Sequence, residues 1–211
     1  YKATRKGMPD ELAAQLPITK QVLDALGVTR CEKAGYEADD LLGTISRRAD
    51  EHGDTCVVVT GDRDSLQLVG GGTTVMLVST RMGQTTYQTY DTAAFREKYG
   101  FDPIHLIDLK ALMGDSSDNI PGVPGIGEKT AMQLLHDFGT LEGVYANIDD
   151  ERIKKGARTK LQNGEQSAKD SYWLATIDRS VPLDLDVEHL PAQDIDETAL
   201  YDLLTRLEFK N

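Results

Sequence analysis

The sequence predicts an α/β domain that continues into a helical lobe, and three features carry that expectation. The run Thr55-Cys-Val-Val-Val-Thr60 is continuous and β-branched, the pattern of a strand buried on both faces of a parallel sheet. Helix-periodic segments flank it, and beyond Pro103 the remainder reads as helix. Two of these later helices are joined by Ile120-Pro-Gly-Val-Pro-Gly-Ile-Gly127, a connection too rich in glycine and proline to continue either one. The division is placed at 109/110, giving an α/β part over residues 1–109 and a helical lobe over 110–211.

Taken in order, Lys2, Arg5 and Lys6 make a short basic start that on its own reads as a solvated end. Leu12, Leu16, Val22, Leu23 and Leu26 recur at helical spacing. Pro9 suits a first turn, Pro17 breaks or kinks the helix, and Gly27 ends it. Residues 28–33 are expected to form a short strand. A four-turn helix follows, with Leu41, Leu42, Ile45 and Ala49 as its apolar stripe and Gly53 beyond its end. Its first turn holds Glu37, Asp39 and Asp40. The helix dipole favours acids there by about 0.3–1 kcal/mol each, yet three within four positions exceed what capping needs, because adjacent like charges repel.

The strand at 55–60 ends in Gly61-Asp62-Arg63-Asp64, at the carboxyl end where ligands gather in open α/β sheets. Ser65–Leu68 reads as a short helix and Gly70-Gly-Gly72 as a plain turn. Thr73–Ser79 and Thr85–Thr89 form a hairpin across Arg81-Met-Gly83. Asp91 caps a helix that runs to Tyr99. Pro103 opens another, with Leu106, Ile107, Leu109, Ala111, Leu112 and Met113. That helix delivers Asp115 and Asp118 at its C-terminal end, where the dipole disfavours acids and a cation would be welcome. After the glycine-rich connection come helices over 127–137, 140–147, 152–163, 165–177 and 196–208. The fourth of these contains Trp173, expected in the core. The third is basic (Lys154, Lys155, Arg158, Lys160), which reads as a solvated face or, beside the connection, as a phosphate track. The four histidines show no partner spacing.

Composition narrows the function. No apolar run approaches the roughly 20 residues that span a bilayer, so no membrane partner is expected. Cys31 and Cys56 do not resemble a zinc site. Cys56 reads as a buried free thiol, and a reducing cytoplasm is the default. The net charge of −12 has the wrong sign for simple electrostatic binding to DNA, unless the acids gather around divalent cations. They do gather: Glu37/Asp39/Asp40, Asp62/Asp64 and Asp115/Asp118 are three sites made only of carboxylates. Hard ions such as Mg²⁺ or Mn²⁺ take such oxygens, and so many acids suit two ions. Two ions can activate water and stabilise the departing oxygen in phosphodiester hydrolysis. Ile120–Gly127 adds the helix-hairpin-helix pattern, in which Gly122, Gly125 and Gly127 let backbone approach a phosphate at a helix N-terminus, with Lys129 and Thr130 in the first turn.

Gly35-Tyr-Glu-Ala-Asp-Asp40, Thr60-Gly-Asp-Arg-Asp64 and Met113-Gly-Asp-Ser-Ser-Asp-Asn-Ile-Pro-Gly-Val-Pro-Gly-Ile-Gly-Glu-Lys-Thr-Ala131 together resemble the 5′-nuclease (flap endonuclease) family. Within it, the likeness is to the 5′→3′ exonuclease domains of bacterial DNA polymerase I. It runs the whole length, from Tyr1-Lys-Ala-Thr-Arg5 with Met8-Pro9, similar to the arch segment, to Leu204-Thr-Arg-Leu-Glu-Phe209. The resemblance implies a PIN-like, mostly parallel sheet flanked by helices, and divalent-ion-dependent hydrolysis of 5′ flaps and RNA primers in replication and repair. It implies metal-site roles for Glu37, Asp39, Asp40, Asp62, Asp64, Asp115 and Asp118, a scissile-phosphate contact for Lys2, and assistance from Arg5. It also implies a K⁺ held by the main-chain carbonyls of Leu112, Met113, Pro121, Val123 and Ile126. Nicked or flapped DNA, a following polymerase domain, a monomeric state and a bacterial nucleoid location belong to the same expectation. The family's first two metal-site aspartates come from strands before the arch, where this chain starts, so the 211 residues alone are expected to lack a central strand and be inactive or impaired. The other readings are a non-catalytic structure-specific DNA-binding module with an incomplete metal cluster and, disfavoured by the hairpin, a PIN-like RNase.

Overall fold

The structure is a computed structural model that describes residues 7–187, 190 and 193–209. In chain order its elements are α1 (Asp10–Ala13), α2 (Leu16–Ala25), α3 (Ala38–His52), β1 (Cys56–Thr60), β2 (Thr73–Arg81), β3 (Gln84–Tyr90), α4 (Thr92–Tyr99) and α5 (Leu106–Met113). Then follow α6 (Glu128–Phe138), α7 (Leu141–Ala146), α8 (Lys155–Asn163), α9 (Glu165–Ala175) and α10 (Glu197–Arg206). Short 3₁₀ turns occupy Arg63–Leu68 and Pro103–His105. Two compact units are present, one of Tyr36–Pro182 and one of the described parts of Arg5–Gly35 and Leu183–Asn211.

In the larger unit the sheet order is β1-β2-β3, with β1 and β2 parallel and β2 and β3 antiparallel. The β2–β3 hairpin expected across Arg81-Met-Gly83 is present, and it turns at Met82 and Gly83, both at positive φ. Val58, Val75 and Tyr90 face a shared core with Leu66, Phe95 and Leu112. The expectation that β1 is buried on both faces fails. Val57 and Val59 are 57% and 59% exposed, because among the described residues the connection from β1 to β2 covers only the Val58 face.

The segment after α9 is tied across α3 and the first 3₁₀ turn. Val181 N–H donates to Thr44 Oγ1 at 3.0 Å, Arg47 Nε to the Arg179 carbonyl at 2.7 Å, and Ile177 N–H to Gln67 Oε1 at 3.1 Å. These bonds hold the segment after α9 against the middle of α3 and the first 3₁₀ turn. The faces that join α5 to α9 are made of small residues, with Ala111, Ala168 and Ser171 wholly buried, so the two helices approach closely. Trp173 lies off that face and is 76% exposed, which corrects its expected place in the core.

In the smaller unit Pro17 stands in the first turn of α2, so the single expected helix is two. Residues 28–33 form no strand. Arg30 instead holds Asp24 at 2.6 Å and Glu32 at 2.9 Å, an arrangement of side chains that needs no ladder. Asp196 caps α10 and its N–H donates to the Ala25 carbonyl at 2.8 Å.

Candidate active site and nucleic-acid interface

The seven predicted acids lie on three segments that meet: the start of α3, the carboxyl end of β1, and the turn after α5. Asp39 Oδ1 accepts from the Ser65 hydroxyl at 3.2 Å, which ties the start of α3 to the β1 end. Asp62 caps the first 3₁₀ turn by accepting from Asp64 N–H at 3.0 Å. Asp64 and Asp115 are then bridged by one ammonium. Lys110 Nζ donates to Asp64 Oδ1 and, at 2.7 Å, to Asp115 Oδ2. The other Asp115 oxygen accepts from Ser117 N–H at 2.8 Å and Ser117 Oγ at 2.5 Å.

Glu37 and Asp40 have a different occupation. They form a reciprocal capping box on α3, with Asp40 Oδ2 accepting from Glu37 N–H at 3.0 Å. Asp40 Oδ1 accepts from Asp178 N–H at 2.9 Å. The structure therefore gives Asp40 a part in holding the fold, which its place in the first turn did not distinguish from ion binding. The seventh acid, Asp118, is buried at 5% exposure beside the hairpin.

Charge in this cluster is strongly biased. Burial lifts the Asp64 carboxyl above the ordinary aspartate range, aided by the charges of Asp62 and Asp115 and only partly offset by Lys110. Burial also disfavours charge on Lys110, but the Asp64 charge and the hydrogen bonds of both carboxylates outweigh it and raise its pKa. Burial acts upward on Asp115 too, yet the Lys110 and Ser117 hydrogen bonds prevail and hold it at about 2. Among the described residues no three acidic, histidine or cysteine side chains converge tightly enough to seat an ion as they stand. The donor set is nonetheless all hard oxygen, and a cation already sits between two of its members.

The hairpin begins where the acids end. Gly114 closes α5 at φ 76°, and Asp115 and Ile120 exchange N–H···O bonds of 2.9 and 2.8 Å around the turn. Val123 N–H donates to the Leu112 carbonyl at 2.8 Å and Ile126 N–H to the Val123 carbonyl at 3.0 Å. Ile120, Val123 and Ile126 are buried. Gly122 sits at φ 61°, where an added Cβ would lie 2.2 Å from Gly114 N. Its N–H donates to Ser171 Oγ at 2.9 Å and its carbonyl accepts from Ser167 Oγ at 2.6 Å. Gly122 thus shapes the hairpin from within, and its buried amide is not presented to a ligand, a correction to its expected binding role.

Gly125, Gly127 and Lys129 are exposed, and Thr130 is half-buried in the first turn of α6. Gly127 is the N-cap of α6 and supplies no side-chain cap to its first N–H groups. Lys160, from the basic α8, donates to the Gly125 carbonyl at 2.9 Å, placing that helix beside the hairpin. Of the five carbonyls expected to hold K⁺, those of Leu112 and Val123 already accept one amide each. Lys2 and Arg5 lie outside the described residues.

Two family domains match the chain consecutively. The 5′-3′ exonuclease N-terminal resolvase-like domain matches residues 1–100, and the 5′-3′ exonuclease C-terminal SAM fold matches residues 101–198. The chain belongs to the 5′-3′ exonuclease family. DNA polymerase I of Caldicellulosiruptor bescii is 43% identical to this exonuclease-family chain over 211 residues, all of the chain but 25% of that protein. DNA polymerase I of Bacillus subtilis is 41% identical over 209 residues, 99% of the chain and 23% of that protein. The chain therefore spans about a quarter of the length of these relatives. Among solved structures, the bacteriophage T5 D15 flap endonuclease in a pseudo-enzyme-product complex with DNA and metal ions is 25% identical. It aligns with a TM-score of 0.56 over 83% of this chain and 61% of that one. The catalytic core of Rad2 in complex with DNA substrate shares the fold at 20% identity and a TM-score of 0.63, over 96% of this chain and 67% of that one. The resolvase-like domain and the helical SAM fold of this exonuclease-family chain agree with the α/β fold and helical lobe expected from its sequence.

Lys110, Ser171, Ser167 and Ser65 were not singled out from the sequence. Lys110 had a readable signal. It is the one cation within Leu106-Ile-Asp-Leu-Lys-Ala-Leu112, a mostly apolar helix that is buried all round, and such a charge needs a partner.

Proposed function

We propose that this chain is the phosphodiester-cleaving part of a 5′→3′ exonuclease and flap endonuclease acting on DNA with 5′ flaps, nicks or RNA primers in replication and repair. The observation that carries this reading is the double use of α5. Its C-terminal end supplies Asp115 to the acid cluster and, within the same turn, starts the hairpin that leads to the uncapped N-terminus of α6. A strand whose phosphates rest on Gly125, Gly127, Lys129 and Thr130 is in this way fixed relative to the acids.

In this reading Asp39, Asp62, Asp64 and Asp115 are the primary ligands of two Mg²⁺ or Mn²⁺ ions, with Asp118, Glu37 and Asp40 lining and stiffening the site. The ions supply water activation and charge neutralisation at the leaving oxygen. The residues orient them, and Lys2 and Arg5 act on the scissile phosphate. The carbonyls of Leu112, Met113, Pro121, Val123 and Ile126 would hold a K⁺, with the Leu112 and Val123 oxygens also accepting the Val123 and Ile126 amides. Functionally the chain divides at residues 109/110, with the cutting acids mainly before and the gripping hairpin after. It works as a monomer in the bacterial nucleoid, joined to a polymerase domain as in its relatives. No helix among the described residues is long and apolar enough to cross a membrane.

A structure-specific DNA-binding module without catalysis is the second reading, and the absence of a tight three-acid cluster among the described residues favours it. Cleavage of a 5′-flap duplex in Mg²⁺ separates the two. The nuclease reading expects cleavage by the protein that carries this chain, its loss in Asp62→Asn, and retained flap binding in that variant. A wild-type protein that binds flaps and never cuts them would establish the second reading.

A further inference from the structure

The acid cluster contains a cation of its own. Lys110 stands on α5, a helix buried on all sides, and is only 8% exposed. Its ammonium contacts an oxygen of Asp64 and an oxygen of Asp115 at once. The remaining Asp115 oxygen is fixed by Ser117 N–H and Oγ, so the carboxylate has no idle oxygen to offer by rotating. Asp62 adjoins Asp64 through the N–H···O bond that caps the 3₁₀ turn, and Asp39 is tied in through Ser65. Carboxylates this close repel one another unless a positive charge lies among them.

We propose that Lys110 is the resident counter-cation of the cluster, and that a divalent ion competes with its ammonium for Asp64 and Asp115. This rests on the reading above, in which those acids hold divalent ions. The consequence is a threshold. A fixed positive charge a few ångströms from the ion seat opposes entry of a doubly charged ion and occupies one oxygen of each of the two carboxylates. The same charge keeps the cluster together before the ion arrives. Lys110 then sets how much free divalent ion the protein needs. The alternative role is scaffolding: a lysine that only held the two carboxylates in place would make ion binding weaker when removed.

Titration of the intact protein with Mn²⁺, followed by calorimetry and by the electron paramagnetic resonance of free Mn²⁺, distinguishes the two. Lys110→Met is expected to bind Mn²⁺ about tenfold more tightly than wild type, and Lys110→Arg to stay within about twofold of it. Lys110→Met is also expected to melt at a lower temperature without metal and to gain more on Mn²⁺ addition. Lys110→Gln serves as the second neutral variant and is expected to shift affinity in the same direction, so the test stands if one of the pair folds poorly. Equal or weaker Mn²⁺ binding in the folded neutral variants overturns the proposal while leaving the divalent-ion reading intact. If neither wild type nor any variant binds Mn²⁺, the divalent-ion reading itself fails and the threshold goes with it.

Discussion

The two halves of the turn after α5 are stabilised in opposite ways. From Gly114 to Gly127 the backbone is locked by its own amides and by two serines of α9, the buried Ser171 and the half-buried Ser167, so the hairpin keeps its shape without a ligand. Between Asp64 and Asp115 the bridge among the described residues is a lysine side chain, and the carboxylates it joins would repel without it. One region is rigid because its polar groups are satisfied. The other is held by charge and can exchange one cation for another. A protein that must grip a polyanion and then admit cations beside it needs both kinds of construction.

The sharpest way to break this comparison is at Gly122. A Cβ there meets Gly114 N at 2.2 Å and Met113 C at 2.6 Å, all backbone that cannot move aside. Gly122→Ala is expected to cost about 4 kcal/mol or more and to abolish flap binding, measured by thermal melting and by fluorescence anisotropy. Ser171→Ala is gentler. It strands the buried Gly122 N–H and is expected to cost about 1–3 kcal/mol, weakening DNA binding while leaving Mn²⁺ affinity unchanged.

The smallest effect lies in the helices behind the hairpin. The Tyr145 hydroxyl donates to the Leu161 carbonyl at 3.1 Å, and burial, with the charge of Glu165, pushes its pKa to about 12. The fold thus favours the neutral phenol. That stability is fully present below the unfolded pKa near 10 and is lost as pH rises through about 12. Tyr145→Phe should therefore flatten the decline in melting temperature over this alkaline window. An unchanged decline would mean that the phenol does not report on the packing of α7 and α8.

Much of this was legible in the sequence, for identifiable reasons. Caps and breakers are local, so Asp91 and Gly53 marked helix ends that the structure reproduces within a residue or two. The three acid-bearing segments and the glycine-rich connection could be located because clustered charge and glycine at fixed spacing stand out from the sequence around them. What escaped depends on which face packs against what. Trp173 was misplaced because α9 buries its small residues, not its largest one. Asp40 could not be told from an ion ligand, since a capping box and a metal site both ask for a carboxylate in the first turn. Lys110 and Asp64 are 46 positions apart, and only the fold joins them.

The separation of grip from cutting is tested most directly by two variants in one assay, with flap binding and single-turnover cleavage measured on the same preparations. Asp115→Asn should leave flap affinity within about twofold and reduce cleavage about a hundredfold or more, since ions seated there act on charge that develops in the reaction. Lys129→Glu should weaken binding about tenfold by placing a negative charge in the first turn of α6, while cleavage at saturating DNA stays close to wild type. If Asp115→Asn instead weakened flap binding as much as Lys129→Glu, grip and cutting would be one site and the division drawn along this turn would be wrong.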